Sequence, residues 1–361
     1  MTLALSATLA EIGEKALLRH VHGRIPAAPG VVVGVGDDAA AVETGPFALL
    51  TTDSLVEGVH FRREEAPPRL LGRKALTVNL SDVAAMGGIG RYATVSLCLP
   101  AATTLGWVDS LYDGLLERAA ESGVALVGGN VTLGGEIVVD VALVGDAGRL
   151  LLRSGAKPGD RVVVTGRLGA AAEGVRLLAE GARLGEDGEL ASSGVWTESS
   201  AAAVLTCLRA QLDPRPPLAL ARSVAERGIA RAGMDVSDGL STDLLELCSR
   251  SGVGAWIEAA AVPVDPRAAG LERARGGDAL ALALHGGEDY ELLLAVDPGA
   301  VDEIRELARV WGVEVAAVGE FVAGDPALRV RDAEGERPLP AGGHDHFRAG
   351  SAQDAPRRWA G

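Results

Sequence analysis

Residues 233–252 read GMDVSDGLSTDLLELCSRSG, a stretch that passes from an extended segment into a helix. Two carboxylates, Asp235 and Asp238, stand at the changeover. Junctions of this kind are where α/β proteins assemble sites from separate loops. Acids recur beside other apolar β runs: Asp37-Asp38 after GVG, Asp53 after LLTT and Asp82 after TVNLS. Upstream, GVVVGVGDDAAAV (30–42) and FALLTTDSLVEGVHF (47–61) read as strands with acids at their polar ends. The spacing predicts a helix from about Pro68 to Met86, opened by Pro67-Pro68 and closed by Gly87-Gly88. TVSLCL (94–99) is a strand stopped by Pro100. Thr103 or Thr104 then caps a helix with Trp107, Leu111 and Leu115 at i+4 spacing, ending near Gly123. VALVGG (124–129) and EIVVDVALVG (136–145) complete this run of β segments.

A Gly-, Pro- and charge-rich break falls around Asp146 to Gly159. Beyond it, VVVTG opens a strand and GAAAEGVRLLAEGAR (169–183) a helix. Residues 185–200 form a Gly/Ser/Glu-rich surface excursion. DPRPP (213–217) is a rigid turn before a further helix, and LHGGEDYELLLAV (284–296) is a glycine turn leading into a strand. No period repeats, so a solenoid is not expected. Mixed β and α in both halves give an α/β (α+β) chain of two domains, 1–147 and 148–361.

Bulk properties agree. With 361 residues, two cores are more comfortable than one. Apolar residues make up 48% and charged ones 23%, the balance of a globular protein. Aromatics are only 3%, so Ala, Val and Leu must supply most of the core. The net charge of −15 disfavours a nucleic-acid partner, which needs a concentrated basic surface, and is compatible with gathering cations. The three cysteines show no CxxC pairing, and no apolar run is long enough to span a bilayer. A cytoplasmic protein without membrane contact is expected.

Each acid taken alone is as well explained as a turn former or an N-cap. Together they suggest one site. Two carboxylates about 4 Å apart repel by about 4 kcal/mol at an effective dielectric of 20, so several in one cleft require a counter-charge. Their neighbours Thr51, Thr52, Ser81, Asn130 and Ser237 are oxygen donors, and only His60 among the histidines lies within these motifs. Hard oxygen ligands favour Mg²⁺ over zinc or copper, and carboxylate-held Mg²⁺ suits a polyphosphate substrate. Neither a Walker loop nor a protein-kinase signature is present. LVGGNVTLGG (126–135) is a weak phosphate signal. The free N–H groups where SDGLSTDLLELC opens a helix could hold phosphate, or Ser237 or Asp238 could simply cap that helix.

As an ordered set, GVGDDAAAV (34–42), TTDSLVEGVHF (51–61), KALTVNLSDVAAMGG (74–88), VGGN (127–130), RSGAKPGD (153–160), MDVSDGLSTDL (234–244), GGEDYELL (286–293) and GGHDHF (342–347) resemble the thiamine-monophosphate kinase family. That family is related to aminoimidazole ribonucleotide synthetase. The resemblance implies an N-terminal α/β domain with a mixed sheet whose strands close a β-barrel across a homodimer. It also implies a C-terminal α/β domain, with the active site between the two. It implies a metal set of Asp38, Thr51, Thr52, Asp53, Asp82, Asn130, Asp235 and Asp238, with Asp53, Asp82 and Asp235 acting in catalysis through bound Mg²⁺. It implies ATP contacts at Tyr112, Gly129, Asn130, Arg153 and Ser237, and thiamine monophosphate contacts at His60, Glu288 and His344. Two departures stand out. His344 occupies a position where the family usually carries Trp or Tyr, and Gly13-Glu14-Lys15 lacks the usual aromatic. The acceptor would be an already ionised phosphate, so no general base is needed. The rival readings are another ATP-using enzyme of the superfamily and a non-catalytic nucleotide-binding scaffold.

Overall fold

The structure is a computed structural model that describes residues 4–12, 17, 20–33, 41–44, 46–191 and 198–344. Asp38 and Gly13-Glu14-Lys15 lie outside the described residues. A short helix α1 (Leu9–Ile12) and a small hairpin of β1 (Val31–Val33) and β2 (Ala41–Val42) precede the first large sheet. That sheet has four strands in the order β3-β6-β4-β5: β3 (Phe47–Val56), β4 (Ile89–Leu99), β5 (Ala125–Leu133) and β6 (Val138–Ala147). β6 pairs antiparallel with β3 and β4, while β4 and β5 run parallel.

Strand alternation decides which face is covered. Val139, Val141 and Leu143 of β6 are fully buried, whereas Val138, Asp140, Ala142 and Val144 are only half-buried on the opposite face. The buried residues join one core with α2 (Pro68–Ala85) and α3 (Leu105–Ser122). These helices cross closely because glycine stands at both contacts. A Cβ on Gly72 would strike the Leu111 carbonyl, and one on Gly114 would strike that of Arg69. As read from the sequence, Thr104 caps α3 by accepting the Trp107 N–H at 3.3 Å, and Gly123 ends it at φ +72.

After the linker, β7 (Arg161–Thr165), β8 (Ala230–Val236), β9 (Gly254–Glu258), β10 (Glu291–Val296), β11 (Val315–Val322), β12 (Leu328–Asp332) and β13 (Gly335–Pro338) form a seven-stranded mixed sheet. Its order is β13-β12-β9-β11-β7-β10-β8. Only β12 and β9 pair parallel. The helices of this half are α4 (Ala170–Ala179), α5 (Glu198–Leu212), α6 (Leu218–Arg227), α7 (Leu240–Ser251), α8 (Pro266–Ala274), α9 (Ala279–His285) and α10 (Val301–Val310). α7 and α9 join one apolar cluster against the sheet, and α6 and α10 join another. α4 and α5 reach back into the N-terminal core through Leu177, Leu178, Val204 and Leu208. The result is a two-domain α/β fold with mixed sheets.

α2 is the element the two halves share. Fifteen of its residues are buried, including Arg73, Lys74, Thr77, Asn79 and Ser81. A helix covered all round carries apolar residues on every face, which is why TVNLS also looks like a β run in the sequence. Two expectations about the acids are corrected here. Asp53 lies inside β3 rather than at a strand end, and Asp82 sits within α2. Among the described residues, no helix is long and apolar enough to cross a membrane.

Candidate active site

Residues seven and eight apart on a helix fall within one stripe, so Lys74, Ser81 and Asp82 line one side of α2. At its C-terminal end the carboxylates converge. Thr51, facing α2 from β3, donates its hydroxyl to Asp82 Oδ2 at 2.6 Å. Ser81 donates to Asp235 Oδ2 at 2.7 Å across the domain boundary. Asp53 and Asp82 stand close enough for each carboxyl to shift the other. Burial, then the charges of Asp82, Asp235 and Asp140, push Asp53 up to about 7. Burial and the Asp82 charge push Asp235 up to about 6. Asp82 is raised by burial, against the pull of its Thr51 hydrogen bond and of Arg153. Arg153, exposed on the linker, is close enough to act on both Asp82 and Asp235.

These carboxylates therefore repel one another where a cation would relieve them, and every donor is a hard oxygen. Both features fit Mg²⁺. Among the described residues no group of three His, Cys, Asp or Glu is already gathered at metal-ligand spacing.

Two members of the expected metal set lie elsewhere. Successive strand residues face opposite ways, so Thr52 points away from Asp53 and bonds Asp140 Oδ1 at 3.3 Å, with Ser54 bonding the same carboxylate. Asn130 is exposed on β5, at the far edge of the sheet from β3. Asp53 is in register with Val141, Val141 with Val95, and Val95 with Gly129. Three strand spacings separate β3 from β5, about 14 Å. One chain thus does not bring Asn130 to Asp53. Gly129 is required where it stands, since a Cβ there would collide with the Val95 carbonyl of β4. Tyr112 is buried in the α2–α3 core, 4% exposed, and its hydroxyl is pushed up to about 12 by burial.

The start of α7 also departs from the sequence reading. Neither Ser237 nor Asp238 caps the helix. The N–H groups of Ser237, Asp238 and Gly239 all donate to Asp243 Oδ2, at 3.1, 3.2 and 3.1 Å. The amides that could have held phosphate are filled by the chain's own buried carboxylate, whose pKa burial raises well above the usual carboxylate range.

At the other end of the shared face of α2, Lys74 Nζ donates to Glu288 Oε1 at 2.9 Å, and Gln211 Nε2 donates to Oε2 at 2.6 Å. The helical rise of 1.5 Å per residue puts Lys74 about 12 Å from Asp82 along the axis. Glu288 and Tyr290 adopt φ of +69 and +52, strained values for residues other than glycine. Their N–H groups are held by the carbonyls of Ser237 and Val236. Burial raises the Tyr290 hydroxyl well above its ordinary value, and the charges of Glu288, Asp53, Asp235 and Asp82 add to that. Tyr290 thus stands between the two ends of the cleft. His60 turns back after β3, its Nδ1 accepting the Val56 N–H at 3.0 Å. His344 is exposed, and its N–H donates to the Asp238 carbonyl at 3.0 Å.

Lys74, Gln211, Asp140, Asp243 and Tyr290 were not singled out from the sequence. DYELL flanking a glycine pair was the available signal for Tyr290. Lys74, lying within an apolar helix, was the signal for a buried cation needing a partner.

Two family descriptions match the sequence: AIR synthase related protein, N-terminal domain, over residues 36–147, and AIR synthase related protein, C-terminal domain, over 157–331. A thiamine-monophosphate kinase of Rhodopirellula baltica is 33% identical over 341 residues, covering 91% of this chain and 96% of the relative. Among solved structures, thiamine-monophosphate kinase from Stenotrophomonas maltophilia K279a superposes with a TM-score of 0.76 at 31% identity, covering 88% and 96% of the two chains. AaThiL complexed with AMPPCP and TMP superposes with a TM-score of 0.71 at 30% identity, covering 95% and 100%.

Proposed function

Because the chain belongs to the thiamine-monophosphate kinase family, we infer that it transfers the terminal phosphoryl group of ATP to the phosphate of thiamine monophosphate, giving thiamine diphosphate and ADP. The observation that carries this reading is the convergence of Asp53, Asp82 and Asp235 with Arg153 at one end of α2, and of Glu288 with Lys74 at the other. AMPPCP is an ATP analogue, so the relative solved with AMPPCP and TMP carries both substrate types together.

In this reading Asp53, Asp82, Asp235 and Thr51 hold the metal, with Asp38 and Asp238 completing the set and Thr52 and Asp140 on the other face of the same strand pair. Bound Mg²⁺ supplies the positive charge that neutralises the transferring phosphoryl oxygens. Arg153 forks onto phosphate oxygens, and Gly129, Ser237 and Tyr112 border the nucleotide. The acceptor phosphate is already ionised near neutral pH, so the chain needs no base. Its task is in-line placement of the two phosphates. Glu288, held in place by Lys74 and Gln211, offers an acceptor to the amine-bearing cationic heterocycle, and His60 and His344 border it.

Asn130 bears on assembly. The β3 and β5 edges lie on opposite sides of each four-stranded sheet. Two copies whose sheets close into a barrel would set Asn130 and Gly129 of one beside Thr51 and Asp53 of the other. A homodimer with a cross-dimer barrel is therefore part of the proposal, as are the domain division at 147/148 and a cytoplasmic location.

Purified protein mixed with ATP, Mg²⁺ and thiamine monophosphate should yield thiamine diphosphate and ADP in equal amounts. ATP consumption only with a ribonucleotide would point to another enzyme of the superfamily. No consumption at all would point to a scaffold.

A further inference from the structure

Near its C-terminus the described chain is fastened to the start of α7 at three successive residues. The Gly342 N–H donates to Ser241 Oγ at 3.2 Å, the Gly343 N–H to Thr242 Oγ1 at 3.0 Å, and the His344 N–H to the Asp238 carbonyl at 3.0 Å. Ser241 is fully buried, and its Oγ also meets His285 Nδ1 at 2.8 Å. The hydroxyl has one hydrogen, and one lone pair receives Gly342. A second lone pair remains beside that hydrogen, so the hydroxyl can either donate to Nδ1 or accept from it, according to the His285 tautomer. Burial lowers the His285 pKa, which favours the neutral ring. The approach is too close for side chains. A Cβ on Gly342 would lie 2.7 Å from His285 Nδ1, and one on Gly343 would strike the Asp238 carbonyl.

The placement of this fastening matters. The Ser237 carbonyl receives the Glu288 N–H at 2.7 Å, and the next carbonyl, that of Asp238, receives His344. Two residues of the acceptor subsite thus hang from consecutive peptides of the Ser237–Gly239 loop, whose own N–H groups are fixed by Asp243. Backbone bonds alone would let the segment pivot about His344. The side chains of Ser241 and Thr242 add two further points and fix its direction.

We propose that Ser241, Thr242 and His285 are positioning residues of the phosphoryl-acceptor subsite, fastening the Gly342–His344 segment to α7 so that His344 meets the thiamine ring at a set place. The proposal rests on the reading of His344 as a substrate contact. Its chemistry is positional: no bond is made or broken at these three residues.

The test is a double-substitution cycle in the full-length protein, with Ser241→Ala, His344→Ala and the pair. KM for thiamine monophosphate, KM for ATP and kcat are measured for each. Loss of one such hydrogen bond raises KM for thiamine monophosphate about fivefold, with KM for ATP unchanged. His344→Ala should raise the same constant, and the double variant should be no worse than the worse single. His285→Gln, whose amide can accept from or donate to the Ser241 hydroxyl, should stay close to the parent. If Ser241→Ala does not fold, Thr242→Val, which removes only the acceptor for Gly343, takes its place. An effect of His344→Ala with none from Ser241→Ala overturns the proposal and leaves the substrate-contact reading standing. An effect of Ser241→Ala with none from His344→Ala overturns both. So do two silent variants, and effects that multiply in the double variant overturn the positioning role.

Discussion

Asp243→Ala tests the loop on which both substrates are proposed to converge. The native carboxylate is 2% exposed and accepts three backbone N–H groups. Charge-assisted bonds contribute about 1.5 kcal/mol each at the low end, or about 4.5 kcal/mol for three. Part of this is regained on substitution. Asp238 is exposed and Ser237 half-buried, so water can reach two of the freed amides, while that of Gly239 stays buried. Removing the carboxylate also relieves an unfavourable burial, visible in its raised pKa and in repulsion from Asp238 and Asp235. Together these return about half, leaving a loss of about 2 kcal/mol. Urea unfolding should show a lower midpoint with unchanged slope. Steady-state assay should show kcat/KM reduced about tenfold or more, because Ser237 and Asp238 lose their anchor. Asp243→Asn, which keeps one acceptor oxygen, should fall between the two. If Asp243→Ala retains full stability and binds ATP more tightly than the parent, the loop amides are a phosphate site that Asp243 merely blocks, and the reasoning fails.

Three further outcomes are expected. Asp53→Asn and Asp82→Asn should each reduce turnover more than about 100-fold with circular dichroism unchanged; near-normal rates in both would defeat the metal assignment. Lys74→Met should raise KM for thiamine monophosphate and destabilise the protein by about 3 kcal/mol, since the half-buried Glu288 loses its cation partner; Lys74→Met with Glu288→Gln should regain much of that stability, and a double variant no better than the single would remove Lys74 from this role. Glu291 is held up to about 7 by burial, with Thr165 donating to it; the folded state therefore binds more protons than the unfolded state between about pH 4.5 and 7, and metal-free stability falls as pH rises through that window, by up to about 1.4 kcal/mol per unit. Asp53 and Asp235 act in the same direction, so Glu291→Gln should lessen the fall without abolishing it; identical urea midpoint profiles for parent and variant would refute this.

The helices and most strands were legible because their signals are local: Thr104 before a helical repeat, Gly123 after it, Pro100 at a strand end. The reading weakened where a residue's surroundings come from distant elements. TVNLS resembled a β run, even within the helix correctly read from Pro68 to Met86, because α2 is covered by sheet, helix and the second domain at once. Thr51 and Thr52 are neighbours in sequence with the same chemistry, yet strand alternation sends one to Asp82 and the other to Asp140. Asp140 was passed over because VVDVALV reads as a plain strand, and only pairing with Ser54 and Thr52 reveals its acid as part of a polar face.

The start of α7 shows how a correct pattern can carry a wrong assignment. SDG before a helix is a sound capping signal, and Ser237 and Asp238 are ordinary capping residues. The acceptor is instead Asp243, which reaches back from inside the first turn to three amides. Neither the Ser237 hydroxyl nor the Asp238 carboxylate makes the cap bond. This arrangement also leaves the Ser237 and Asp238 carbonyls to Glu288 and His344. A loop capped by its own residues would have spent the groups that the cleft needs. Moving the cap to Asp243 keeps the loop rigid without drawing the Ser237 and Asp238 side chains into the cap, and this reconciles a tightly bonded turn with a role in binding.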